Sequence, residues 1–137
     1  MDLIPKANPE YLFLLRGTQF ENRLSLPEMQ EAMTHFGAWI ERLTQEGKFK
    51  GGQPLAPSGR IISGKEERTV SDGPFAEAKE AIGGYLVFNV PDLDTAVDIA
   101  RTCPLLNYGA DVEVRPLLDL CPTRQRINEC LVKAQAA

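Results

Sequence analysis

Histidine is nearly missing from this chain, which has one, His35, and cysteine is sparse, with three: Cys103, Cys121 and Cys130. The cysteines are odd in number and form no C-x-x-C pair, so the sequence offers neither a disulfide framework nor a spacing suited to zinc. Free thiols packed as small hydrophobes in a reducing cytosol are the expectation. Long hydrophobic runs are also absent, and nothing approaches the roughly 20 residues that span a bilayer. The opening MDLIPKANPEYLFLLRG holds one lysine before a short apolar stretch that Arg16 and Gly17 cut off, which is not the layout of a secretory signal. A cytoplasmic location is expected. Basic charge is in deficit, with 15 Lys and Arg against 19 Asp and Glu, for a formal net charge of −4. That balance argues against a nucleic-acid or anionic-membrane surface as partner. The doublets Gly51-Gly52 and Gly83-Gly84 lack phosphate-loop spacings and read as bends and helix ends. Nothing in the sequence requires a metal or an organic cofactor.

What is present describes an ordinary folded domain. The 137 residues are 43% hydrophobic and 25% charged, enough for one domain with its own core. Tyr11 to Arg16 reads as a first strand. Pro27 opens a helix that runs to about Gln45, with Ser25 or Leu26 near its cap. Met29, Ala32, Met33, Phe36, Trp39, Ile40 and Leu43 give that helix one broad apolar stripe. Short strand-like pieces follow, among them an antiparallel pair at Arg60–Ser63 and Arg68–Ser71 around a polar tip at 64–67. Ser71 to Gly84 reads as a turn and a brief acidic helix. Tyr85 to Val90 is the clearest strand, Asp92 to Thr102 a second helix stopped by Pro104, and Val112 to Leu118 a last strand. Thr123 to Ala134 is a third helix, with Ile127, Cys130, Leu131 and Ala134 spaced for packing. The expected division is an N-terminal arm over 1–10, the domain proper over 11–120, and a C-terminal helix over 121–137 packed on it.

This order implies a mostly antiparallel sheet with helices on one face, a ferredoxin-like α+β sandwich. In the first strand Tyr11, Phe13 and Leu15 point one way and Leu12 and Leu14 the other. Two helices bury only one face, so the second apolar face calls for a partner, and a second copy, a homodimer through sheet faces, is expected.

The stretch SDGPFAEAKEAIGGY, Ser71 to Tyr85, resembles the DGPF-domain branch of the YCII-related family. Similar segments recur at Ala100-Arg101-Thr102-Cys103-Pro104 and Val112-Glu113-Val114-Arg115-Pro116, and the likeness covers roughly Tyr11 to Leu118. The resemblance implies a ferredoxin-like fold paired into a dimeric α+β barrel. Broader members look like small enzymes in which a His and an Asp face a cleft between subunits, although the family's helix histidine falls nearer Phe36 than His35 here. Some DGPF relatives are encoded beside, or fused to, alternative sigma factors, which implies a sensory role or a transcription-related protein partner.

The candidate site residues each carry two readings. Asp72, followed by Gly73 and Pro74, is a turn former and cap, with Phe75 anchoring the loop; alternatively Asp72, Glu77 and Glu80 line a cleft where one acts as general acid or base. Lys79 then holds an anionic group, or belongs to an exposed charge mix. His35 is a boundary histidine beside Glu31, or the proton carrier. Arg115 makes a cross-strand or intersubunit ion pair, or offers its fork to an anionic ligand.

Three functions follow. The first is a sensory or accessory protein binding a small polar metabolite near the DGPF loop, in a pocket with convergent polar groups. The second is a cofactor-independent enzyme using Asp72 or Glu77 with His35. The third is an interaction module, which would leave Ile127 and Leu131 exposed.

Overall fold

The computed structural model describes residues 9–73 and 81–136. Among these residues nine elements follow one another: β1 (Glu10–Arg16), α1 (Leu26–Gln45), β2 (Phe49–Pro54), β3 (Gly59–Ser63), β4 (Thr69–Gly73), β5 (Ile82–Asn89), α2 (Leu93–Arg101), β6 (Asp111–Pro116) and α3 (Pro122–Ala136). Short 3-10 turns at Phe20–Asn22 and Pro104–Tyr108 precede α1 and β6. The main sheet has the order β2-β5-β1-β6, antiparallel throughout. Without the separate β3–β4 hairpin the order is βαββαβ with its two long connections made by helices, the ferredoxin-like arrangement. The hairpin is an insertion between the second and third strands of that unit.

Local chemistry fixes the helix ends where the sequence placed them. The Ser25 hydroxyl accepts from the Glu28 N–H at 3.3 Å, and the Glu28 carboxylate accepts from the Ser25 N–H at 2.9 Å, closing a capping box on α1. Hydrogen bonds from the Ser25 backbone and hydroxyl to the Glu28 carboxylate hold that carboxyl below its ordinary range. Asp92 caps α2 by accepting from the Thr95 N–H at 2.8 Å, and hydrogen bonds from the Thr95 side chain and backbone likewise lower its pKa.

Strand alternation builds the core. Tyr11, Phe13 and Leu15 of β1 and Leu86 and Phe88 of β5 are buried under α1 and α2, with Phe13 and Phe88 fully enclosed and their ring centroids 4.4 Å apart. Trp39 packs 5.8 Å from Phe88, and its indole N–H donates to the Thr102 hydroxyl at 2.8 Å, which ties the middle of α1 to the end of α2. Leu12, Leu14, Tyr85 and Val87 occupy the opposite face, half-buried and outside the core cluster.

Three expectations need correcting. Gly83 and Gly84 lie within β5, where no helix ends. Only Cys103 is buried, and Cys121 and Cys130 are exposed. In α3 the apolar stripe faces outward, with Leu131 56% exposed, and the half-buried residues are Gln125 and Glu129. The periodicity of α3 was real, but no residue of this helix is buried against the domain.

Candidate functional site

A cavity of about 610 Å³ lies between α1 and the β2–β5 edge of the sheet. Its origin can be followed from single residues. The apolar stripe of α1 is wider than the sheet beneath it. Ala32, Trp39 and Leu43 reach the core, whereas Met29, Phe36 and Ile40 are only half-buried and Met33 is 50% exposed. This second flank looks down on the end of the sheet where the side chains run out. Gly52 pairs with Leu86 and Gly84 with Leu15 and Pro54, so the helix-facing floor there is bare backbone. The approach is tight from below: a Cβ on Gly52 would run into the Tyr85 carbonyl oxygen, and one on Gly84 would lie 3.1 Å from the Gln53 carbonyl. Thr18 covers Gly83 so closely that its hydroxyl occupies the space of a Cβ there. Glycine leaves the void, and the overhanging methionines and aromatics line it.

The lining is predominantly apolar. Phe20, Phe36 and Phe49 contribute rings, and Leu55 and Pro57 close the outer wall. Thr18, Gln19, Glu21 and Gln53 supply the polar side chains, so this cavity is a greasy one with a short polar margin, while the convergent polar pocket expected at the DGPF loop falls on residues 74–80, outside the described residues.

A second, shallower groove lies between α1 and the turn before β6, lined by Glu31, His35, Arg42, Asn107 and Tyr108. His35 Nε2 stands 3.7 Å from the Glu31 carboxylate, one helical turn away, and both side chains are largely exposed. The Tyr108 hydroxyl hydrogen-bonds the same carboxylate, and burial with the Glu31 contact pushes the phenol above its ordinary value.

The remaining candidates among the described residues are dispersed. Asp72 sits in β4 opposite Arg60, pairs with it at 2.9 Å, and lines neither concavity. Glu77, Lys79, Glu80 and the anchoring Phe75 lie outside the described residues. Arg115 pairs with Glu113 of its own strand at 3.0 Å, and Glu113 is also 3.4 Å from Arg16 on β1. His35 is thus gathered with Glu31 and Tyr108, and Asp72 and Arg115 belong to separate surface ion pairs. Among the described residues no group of three or more His, Cys, Asp or Glu could hold a metal, and no helix is long and apolar enough to cross a membrane. The cavity residues were missed because both glycine doublets were read as bends. The usable signal was the excess width of the α1 stripe together with glycine at facing positions of two strands.

Comparison with known proteins matches residues 11–119 to the YCII-related domain. The chain belongs to the YCII-related family. An uncharacterised protein of Rhizobium meliloti (strain 1021) is 32% identical over 97 residues, covering 68% of this chain and 78% of that protein. The matched span takes in the main sheet, α1, α2 and the inserted hairpin, and α3 falls beyond it.

Proposed function

We propose that this YCII-related protein binds a small, largely apolar molecule in the cavity between α1 and the β2–β5 edge, in a sensory or accessory role. One observation carries the reading: about 610 Å³ of space floored by glycine backbone and walled by Met29, Met33, Phe36 and Ile40. A cavity in that size range, apolar with a few polar groups, is the ordinary form of a small-molecule site. The ligand is more apolar than the metabolite expected from Asp72 to Glu80. Octanol is a suitable probe: it should raise the melting temperature of the full chain saturably, as any ligand of the native state must. Met33→Trp, which fills the mouth from an exposed position, should abolish that shift without lowering the melting temperature of the free protein. An unchanged melting temperature across the octanol series contradicts the reading.

The same proposal assigns the chain to the DGPF branch, on its Asp72-Gly73-Pro74-Phe75 run, and to a reducing cytoplasm, where exposed Cys121 and Cys130 remain thiols. It also makes the protein a homodimer through the outer sheet face, closing the dimeric α+β barrel. Leu12, Leu14, Tyr85 and Val87 supply an apolar strip, and the Arg16–Glu113–Arg115 ion pairs run beside it. A second reading, docking of a transcription-related protein, draws on α3, whose Ile127 and Leu131 are exposed one turn apart. Deleting α3 should leave octanol binding intact if the two activities are separate. The catalytic alternative keeps the groove where Tyr108 and His35 flank Glu31.

A further inference from the structure

We infer that the cavity selects an amphiphilic cation, an apolar body carrying an ammonium group, and discriminates against carboxylates of the same shape. The inference rests on the binding reading above and names its ligand class.

Among the described lining residues the charge is one-sided: Glu21 is the only carboxylate, and no lysine or arginine joins it. Three of the nearby cations are committed elsewhere. Arg23 lies over the Phe20 ring at 5.6 Å and donates to the carbonyls of Gly17 and Tyr108, clasping the two 3-10 turns together. Arg16 faces Glu113 on the other side of the sheet, and Lys48 is held by Glu46 at 2.9 Å. Glu21 is exposed at the rim and has no ion-pair partner among the described residues.

The walls favour the same sign. Phe20, Phe36 and Phe49 present rings to the space, and aromatic faces attract cations and repel anions through their quadrupoles. A carboxylate in this cavity would lose its water without gaining a charged donor, which is costly. An ammonium would have rings and a carboxylate at the margin, where Thr18 and Gln53 add neutral hydrogen-bonding groups. The protein's net charge of −4 reinforces the preference from a distance, and the local contribution has to be separated from it.

Octylamine, octanol and octanoate share one chain and differ in head group, so calorimetric titration of the full chain with each isolates the charge. Octylamine should bind about threefold tighter than octanol and about tenfold tighter than octanoate, the differences expected of a rim-exposed carboxylate and ring contacts. Glu21→Gln should bring octylamine to within about twofold of octanol, and Asp98→Asn, the same charge change on α2 away from the lining, should leave the wild-type ratio standing. Octanoate binding as well as octylamine overturns the cation inference while the octanol result upholds the cavity. An Asp98→Asn effect equal to that of Glu21→Gln assigns the preference to net charge and also overturns it. Failure of all three probes removes the binding reading itself.

Discussion

The β1–β5 pair and the β3–β4 hairpin have the same antiparallel backbone bonding and opposite fates as packed structure. In β1 and β5 every second residue is buried, and Phe13 and Phe88 stack at the centre of the core. In β3 and β4 every residue but Gly73 is exposed, including Ile62 at 63% and Val70 at 64%. Alternation of side chains across a strand stabilises only when something lies against one face, and an isolated two-stranded hairpin is marginal in water. α1 and α3 repeat the contrast in helical form: both carry apolar stripes, and only the stripe of α1 has a sheet beneath it. The domain's own stability therefore resides between the main sheet and α1 and α2. The hairpin and α3 are surfaces offered outward.

The sharpest way to break this contrast is to cut into each region with comparable changes. Phe88→Ala should cost about 3–5 kcal/mol in urea unfolding, as for a large enclosed ring with no room to collapse. Ile62→Thr in the hairpin should stay within about 0.5 kcal/mol, because little burial is lost there. A large loss from Ile62→Thr would mean that the hairpin already packs on a second molecule. On the outer sheet face, Leu14→Asp should convert the proposed dimer to monomer by light scattering and leave the far-ultraviolet circular dichroism unchanged; a monomeric wild type removes the dimer proposal. Ser25→Ala should cost about 1 kcal/mol by opening the α1 capping box.

The smallest effect is a pH dependence. Glu28 and Asp92 have folded-state pKa values lowered by their cap bonds, so the stability they contribute is present above the unfolded values. It should be lost as pH falls through the carboxylate range, below about 4. Asp92→Asn, which keeps a capping oxygen, should flatten that acid limb in urea titrations. Asp72→Asn should change neither limb nor midpoint by more than about 0.5 kcal/mol, since its pair with Arg60 is exposed.

The sequence disclosed the fold far better than the site, for physical reasons that differ by residue. Ser25, Asp92 and Pro104 mark helix ends by local chemistry that needs no tertiary context, and Tyr11 to Arg16 and Tyr85 to Val90 alternate visibly. Gly83 and Gly84 misled because glycine has one appearance in sequence and two uses, ending helices or thinning a strand where another group comes close. Cys130 and Leu131 misled because helical periodicity reports a face without saying what covers it. The cavity was hidden for a further reason: it is made of missing side chains on two strands brought together only by the β2–β5 register. His35 beside Glu31 could be read from i,i+4 spacing alone, whereas Tyr108 joins them only through the tertiary fold.

The central claim, that the glycine-floored cavity is a binding site, is tested most directly by methionine-methyl NMR. The chain has three methionines, Met1, Met29 and Met33, and the last two line the cavity. Octylamine added to the ¹³C-methyl-labelled protein should move the Met29 and Met33 signals together along one saturating curve. Linear, unsaturable drift of these two signals, or no movement of them, would contradict the account.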